Sequence, residues 1–301
     1  MTAKKQDRIY RILIWGGAAI YNFHLPRIQQ MEDRGEIRIV GIYDKGIRYG
    51  KTLDGYPILK REEIVSTPHD YLFVMAGQRE KEVIEEYMEL DGDRQKVIPF
   101  RVLDIPNIGF QQYLDIKNAG FSILSETCFG GYISHTFGME HLSPFKNLWI
   151  GGEDYLKILE DLPHYMSATP QLAYYRESSN RYDQPVYPVL QLDDVQLMCN
   201  HDSDADAAVA NWERRKAKIN YNNLFATILT SSEEHMERFL SLKGYQRKLC
   251  FMPYETDRKG VVYIPVEGNG DLYSLHRVAR DANNLLDIYT FFFGEVRYRR
   301  Q

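Results

Sequence analysis

The chain has 301 residues, 44% hydrophobic and 26% charged, which fits two globular domains rather than a disordered or fibrous polypeptide. Its 42 acids outnumber 37 bases, and the net charge of −5 offers no basic field for nucleic acid or an anionic membrane. The three cysteines, Cys128, Cys199 and Cys250, are too widely spaced for a disulfide framework or a CxxC zinc site, which suits a reducing, cytoplasmic setting. The basic N-terminus enters a strand without a signal-like apolar segment, and no stretch approaches the ~20 apolar residues of a membrane span.

The first predicted domain, residues 1–105, opens with a strand at Ile9–Trp15 that breaks at Gly16-Gly17. An amphipathic helix over 20–33 follows, then a strand at Ile37–Tyr43 ending on Asp44. Strand, glycine turn, helix, strand and acid form the order of a βαβ unit. Glycines at such a turn let phosphate oxygens approach backbone N–H groups at a helix N-terminus, and the acid accepts from ribose hydroxyls. Set on the dinucleotide fingerprint, Gly16 takes the first glycine position, Ala18 the second and Tyr21 the third, where the ring is expected to crowd helix against strand. The alternative is a nucleotide-type shell that binds nothing.

Beyond Asp44, ten residues lead to Gly55-Tyr56-Pro57-Ile58-Leu59. A short helix over Arg61–Ser66, a strand at Tyr71–Ala76 closing on Gly77, a helix from Glu80 to Leu90 and a strand at Val97–Phe100 are expected next. Over residues 8–103 this pattern resembles the N-terminal Rossmann domains of bacterial sugar acyltransferases and nucleotide-sugar dehydratases. The resemblance implies a nucleotide pocket, often for a nucleotide sugar, with Gly16, Gly17, Asp44 and Gly77 at the matching positions; a dinucleotide is the other candidate cofactor.

The second predicted domain, 106–301, follows a bridge over Leu103–Asn118. Its expected elements begin with a strand at Phe121–Leu124, a turn through Cys128-Phe129-Gly130-Gly131 and a helix to Phe137. A strand at Leu148–Ile150, a helix over Glu153–Met166 and a hairpin about Asp193-Asp194 come next. They are followed by a helix over Asp204–Ile219 with Ser203 as cap, a strand at Phe225–Leu229 and a helix over Ser232–Leu242 capped by Ser231. Strands at Lys248–Met252 and Val261–Val266 and a last helix from Asp271 complete the alternation. The fold class is therefore α/β: a Rossmann-like parallel sheet, then a second three-layer α/β domain. The motifs S-x-x-C-x-G-G from Ser125, H-x-x-G from His135, Leu142-Ser143-Pro144, Glu153-Asp154-Tyr155, W-E-R-R-K-x-K-I-N-x-x-N-L-F from Trp212, and Lys248-x-Cys250-Phe251 are similar to a bacterial family of unknown function. Its members are often named exopolysaccharide-biosynthesis proteins. The similarity covers about residues 110–295 and carries over no established catalytic residue. Asn commonly precedes the cysteine in that family, whereas this chain has Glu126-Thr127.

Cys128, on a glycine-rich turn before a helix, is a candidate nucleophile with lowered thiol pKa, and His135 or His201 a candidate base. A buried structural cysteine is the alternative. A helical wheel places Ala205, Ala208, Trp212 and Ile219 on one face, with Arg215 flanking it toward a carboxylate or phosphate, or merely snorkelling, and Arg214 facing solvent. His201 ends a strand, where sites collect in α/β sheets, though a hydrogen-bonded structural His also fits. His201, Asp202, Asp204 and Asp206 resemble a solvated helix start, so no metal is expected. The two resemblances together imply a transferase-type enzyme of surface-polysaccharide synthesis using a nucleotide sugar or acyl donor. The alternatives are a non-catalytic nucleotide- or sugar-binding regulator and a nicotinamide-dependent oxidoreductase.

Overall fold

A computed structural model describes residues 8–47, 52–105, 108–146, 148–264 and 288–294. The chain divides into two compact units, one reaching Asn118 together with Thr136–Gly138, the other formed by Ala119–His135 and the chain from Met139 onward. Both are α/β, and each is built on a parallel sheet.

The first unit contains β1 (Tyr10–Trp15), α1 (Ala19–Asp33), β2 (Ile37–Tyr43), the small pair β3 (Thr52–Leu53) and β4 (Tyr56–Pro57), and α2 (Glu63–Ser66). It continues with β5 (Tyr71–Val74), α3 (Glu80–Glu89), β6 (Val97–Pro99) and α4 (Phe110–Lys117). The main sheet runs β2-β1-β5-β6, all parallel, so the chain reverses its direction of travel at β1. Ile12, Leu13 and Ile14 are all buried, the unbroken apolar run of a strand covered on both faces. The bridging helix α4 packs with this unit: Phe110 N–H donates to Glu36 at 2.8 Å, and its ring meets Tyr10, Tyr71 and Phe73. Tyr21 does not crowd helix against strand; it is buried in the core and its hydroxyl reaches Asp54 at 3.0 Å.

The second unit contains β7 (Ser122–Ser125), α5 (Phe129–Phe137), α6 (Gly152–Glu160), α7 (Leu162–Ser167), β8 (Gln171–Glu177), β9 (Val186–Leu192) and β10 (Val195–Met198). It closes with α8 (Ala205–Lys216), β11 (Leu224–Leu229), α9 (Glu233–Ser241), β12 (Arg247–Met252), β13 (Val261–Tyr263) and α10 (Ile288–Phe293). Strands β7-β11-β12-β13 form the parallel sheet, and β8-β9-β10 an antiparallel meander. A shared core joins the two sheets: Leu190, Leu197, Ala226 and Ile228 pack with Tyr155, Leu156 and Trp212 of the helices.

Several expected elements differ. The single helix over Glu153–Met166 is two, because Asp161 leaves helical geometry (φ −138°, ψ 61°) and its side chain caps α7, which starts with Leu162-Pro163. Leu148–Ile150 makes only a bridge between Trp149 and Met198. The caps also shift by one residue: Asp204 accepts from Ala207 N–H and Ser232 from His235 N–H, in place of Ser203 and Ser231. Ile219 lies beyond the end of α8. The expected helix from Asp271 to residue 287 and the end of the strand beyond 264 lie outside the described residues.

Candidate functional site

At the carboxyl end of β1, Gly16 has φ +110°, and a Cβ there would lie 2.8 Å from the Met75 carbonyl oxygen. Only glycine fits that close crossing of two backbones. Gly77, after β5, has φ +54° and would press Ile20 with any side chain. Gly17 N–H donates to Asp44 Oδ2 at 2.8 Å, while Gly46 N–H donates to Asp44 Oδ1 at 2.7 Å. Ile47 and Leu53 cover Gly17 so closely that a Cβ would meet them at 2.7 and 3.0 Å. The expected phosphate donor and the expected ribose acceptor are therefore each other's partners, and the turn's amide is spent within the protein.

The second unit presents a different surface. Cys128 follows β7 and stands immediately before α5, while His201 lies in the turn after β10, closed by Asp202 N–H donating to Cys199 O at 2.9 Å. The ends of the parallel sheet and the meander converge there, bringing Cys128 Sγ within 3.4 Å of His201 Nε2. Both residues line a cavity of about 440 Å³. Its rim carries the exposed rings of Tyr132, Trp149 and Tyr182, and its wall includes Asn180, Asp183 and Asn200. Asp183 is fixed by Ser178 Oγ at 2.8 Å and Asn200 Nδ2 at 2.9 Å, which leaves Asn200 Oδ1 buried without a partner.

The expectation of a low thiol pKa is overturned. Burial, with the Asp183 charge added, pushes the Cys128 thiol up to about 11. At the start of α5, Phe129 N–H donates to Thr127 Oγ1 at 3.3 Å and Gly130 N–H to Ser125 Oγ at 3.0 Å. The resting group is a thiol, with His201 Nε2 3.4 Å from its sulfur.

The other proposed site residues lie elsewhere. His135 is exposed on α5 and does not line the cavity. Arg215 is also absent from the lining; its Nη1 donates to the Lys146 carbonyl at 2.7 Å, tying α8 to the preceding loop. Arg214 is exposed, as the wheel predicts. Among the described residues no group of three or more His, Cys, Asp or Glu side chains is placed to hold a metal ion.

Glu126 is the residue that the sequence reading did not select. It lines the cavity and is 4% exposed, with Oε1 accepting from Leu229 N–H at 2.7 Å and Oε2 buried without a partner. Burial pushes its carboxyl up to about 8 despite the Leu229 hydrogen bond, so it carries a proton at neutral pH. In the sequence its one mark is the Glu126-Thr127 pair ahead of Cys128, where the similar family commonly has asparagine before the cysteine.

Fold and cavity together define a two-unit α/β protein with a cysteine–histidine pair at converging sheet ends. The chain belongs to the family described as a domain of unknown function, DUF1919, which matches residues 100–292. Residues 8–98 are similar to the N-terminal domain of a C2185-like family. An uncharacterized protein of Haemophilus influenzae is 27% identical over 110 residues, or 36% of this chain. That match spans 50% of the Haemophilus protein. No helix among the described residues is long and apolar enough to cross a membrane.

Proposed function

We propose that the second unit is a group-transfer enzyme in which Cys128 is the nucleophile and His201 its base, acting on a sugar in bacterial surface-polysaccharide synthesis. The donor is a nucleotide sugar or an acyl compound. The observation that carries the reading is the 3.4 Å contact between Cys128 Sγ and His201 Nε2 inside the cavity. A thiol held protonated needs a base within hydrogen-bond reach, and that geometry supplies one. The aromatic rim suits the apolar face of a sugar ring, and the polar wall its hydroxyls. The polysaccharide context rests on the sequence resemblance. To test this, the protein is incubated with short acyl thioesters and with nucleotide sugars, and adducts are mapped by peptide mass spectrometry. An adduct on Cys128 that Cys128→Ser abolishes is the expected result.

A second reading is a non-catalytic sugar- or nucleotide-binding regulator, favoured by the raised thiol pKa. A ligand-dependent rise in melting temperature with no adduct under any donor would select it.

A further inference from the structure

We infer that Glu126 acts as a carboxylic acid whose Oε2–H hydrogen-bonds the carbonyl oxygen of a bound acyl donor, so that an ester or thioester, rather than a nucleotide sugar, is what meets Cys128. The inference rests on the reading of Cys128 as nucleophile and adds both the missing donor and the substrate class.

Three observations support it. Glu126 shares the cavity wall with Cys128, two residues away on the same turn, and its backbone carbonyl is pinned by Ile150 N–H at 2.9 Å. Its Oε1 is held by Leu229 N–H while Oε2 is buried without a partner. An ionised carboxylate with an unmet buried oxygen is costly, whereas the acid needs only an acceptor, which a substrate carbonyl supplies. Finally, among the described residues no Lys or Arg lines the cavity, and the lining carboxyl groups are Glu126 and Asp183. A nucleotide sugar would bring a diphosphate there with no described Lys or Arg to pair it, whereas an acyl carbonyl brings no charge.

The step balances without a further reactant. Cys128 Sγ bonds to the carbonyl carbon as its proton passes to His201 Nε2, and the C=O electron pair moves onto the oxygen held by Glu126. Collapse of that adduct re-forms C=O and breaks the bond to the leaving thiolate or alkoxide, which takes the proton from His201. An acceptor hydroxyl then reverses the sequence, releasing the ester and the Cys128 thiol.

Two electrophiles test this on the intact chain. Acrylamide builds negative charge on its carbonyl oxygen as sulfur adds, whereas iodoacetamide reacts by displacing iodide and does not. The ratio of their rates at Cys128, followed by peptide mass spectrometry, should fall by about tenfold or more in Glu126→Gln, the loss expected on weakening an oxyanion donor. In the wild type the same ratio should fall as pH rises through 8, where Glu126 loses its proton. The Glu126 charge acts on Tyr155 from α6 and Cys250 from β12, while Cys128, Asp183, His201 and His235 line the same cavity. Division by the iodoacetamide rate removes the ionisation of Cys128 itself. An unchanged ratio in both experiments overturns the role of Glu126 while leaving Cys128 as nucleophile. Failure of both reagents to modify Cys128 overturns the underlying reading and this inference with it.

Discussion

The carboxyl ends of the two parallel sheets use the same local device, a strand running into a turn of small residues and then a helix. After β1, Asp44 takes the amides of Gly17 and Gly46, and Ile47 and Leu53 close over the glycine. After β7, the helix amides are answered by Thr127 and Ser125, but Glu126 Oε2 and, across the cavity, Asn200 Oδ1 are not. Buried polar atoms without partners are costly and uncommon in native proteins. Glu126 Oε2 and Asn200 Oδ1 belong to residues that line the cavity holding the thiol–imidazole pair.

This contrast breaks most visibly at the glycines. Gly16→Ala should cost about 3 kcal/mol or more, because a positive φ and a backbone contact both oppose the methyl group. Gly17→Val should lose about 2 kcal/mol through overpacking against Ile47 and Leu53. Near-wild-type urea midpoints for both would show that the turn is open after all.

Glu126 sharpens the comparison through pH. Its folded pKa of about 8 lies above the usual 4.5, so between these values the native state holds a proton that the unfolded chain releases. Its contribution to stability is therefore complete below about pH 4.5 and is lost as pH rises through 8. Glu126→Gln should remove that slope, gaining on wild type by an amount on the order of 2–4 kcal/mol between acid and alkaline conditions. Parallel stability–pH curves would mean that the folded carboxyl titrates like that of the unfolded chain.

Smaller effects test the scaffold side. Asp44→Ala should cost about 1–2 kcal/mol by stranding two turn amides, and a nucleotide should not restore the loss. Restoration by a nucleotide would return a ligand role to this turn. Arg215→Ala should cost about 1 kcal/mol with the lost bond to Lys146 O, and leave the alkylation rate of Cys128 unchanged.

Most of the fold was legible because buried parallel strands and amphipathic helices leave strong periodic signals, as at Ile37–Tyr43 and around Trp212. Strand β8 was not, since all seven of its residues are exposed and neither face imposes a pattern. The break at Asp161 needed recognition that an acid could cap a new helix inside an apparently continuous one. In the site, Cys128 and His201 were visible as strand-end residues, but their meeting across two different sheets is tertiary information. The wheel gave the direction of Arg215 and could not name its partner. The sign of the thiol shift is not legible in sequence because it comes from the burial of Cys128 and the nearby Asp183 charge, both tertiary facts. Glu126 was passed over because a lone acid in sequence reads as solvated until its burial is known.

The central claim, that Cys128 works through His201, is tested most directly by the pH dependence of iodoacetamide labelling at Cys128 in wild type and His201→Gln. The account predicts labelling at neutral pH in the wild type, slowed about tenfold or more in the variant, the scale of a lost general base. The variant should then recover only as pH approaches the thiol's own value of about 11. Identical profiles, with Cys128 reacting only at high pH in both proteins, would contradict it and leave Cys128 a buried thiol beside a histidine.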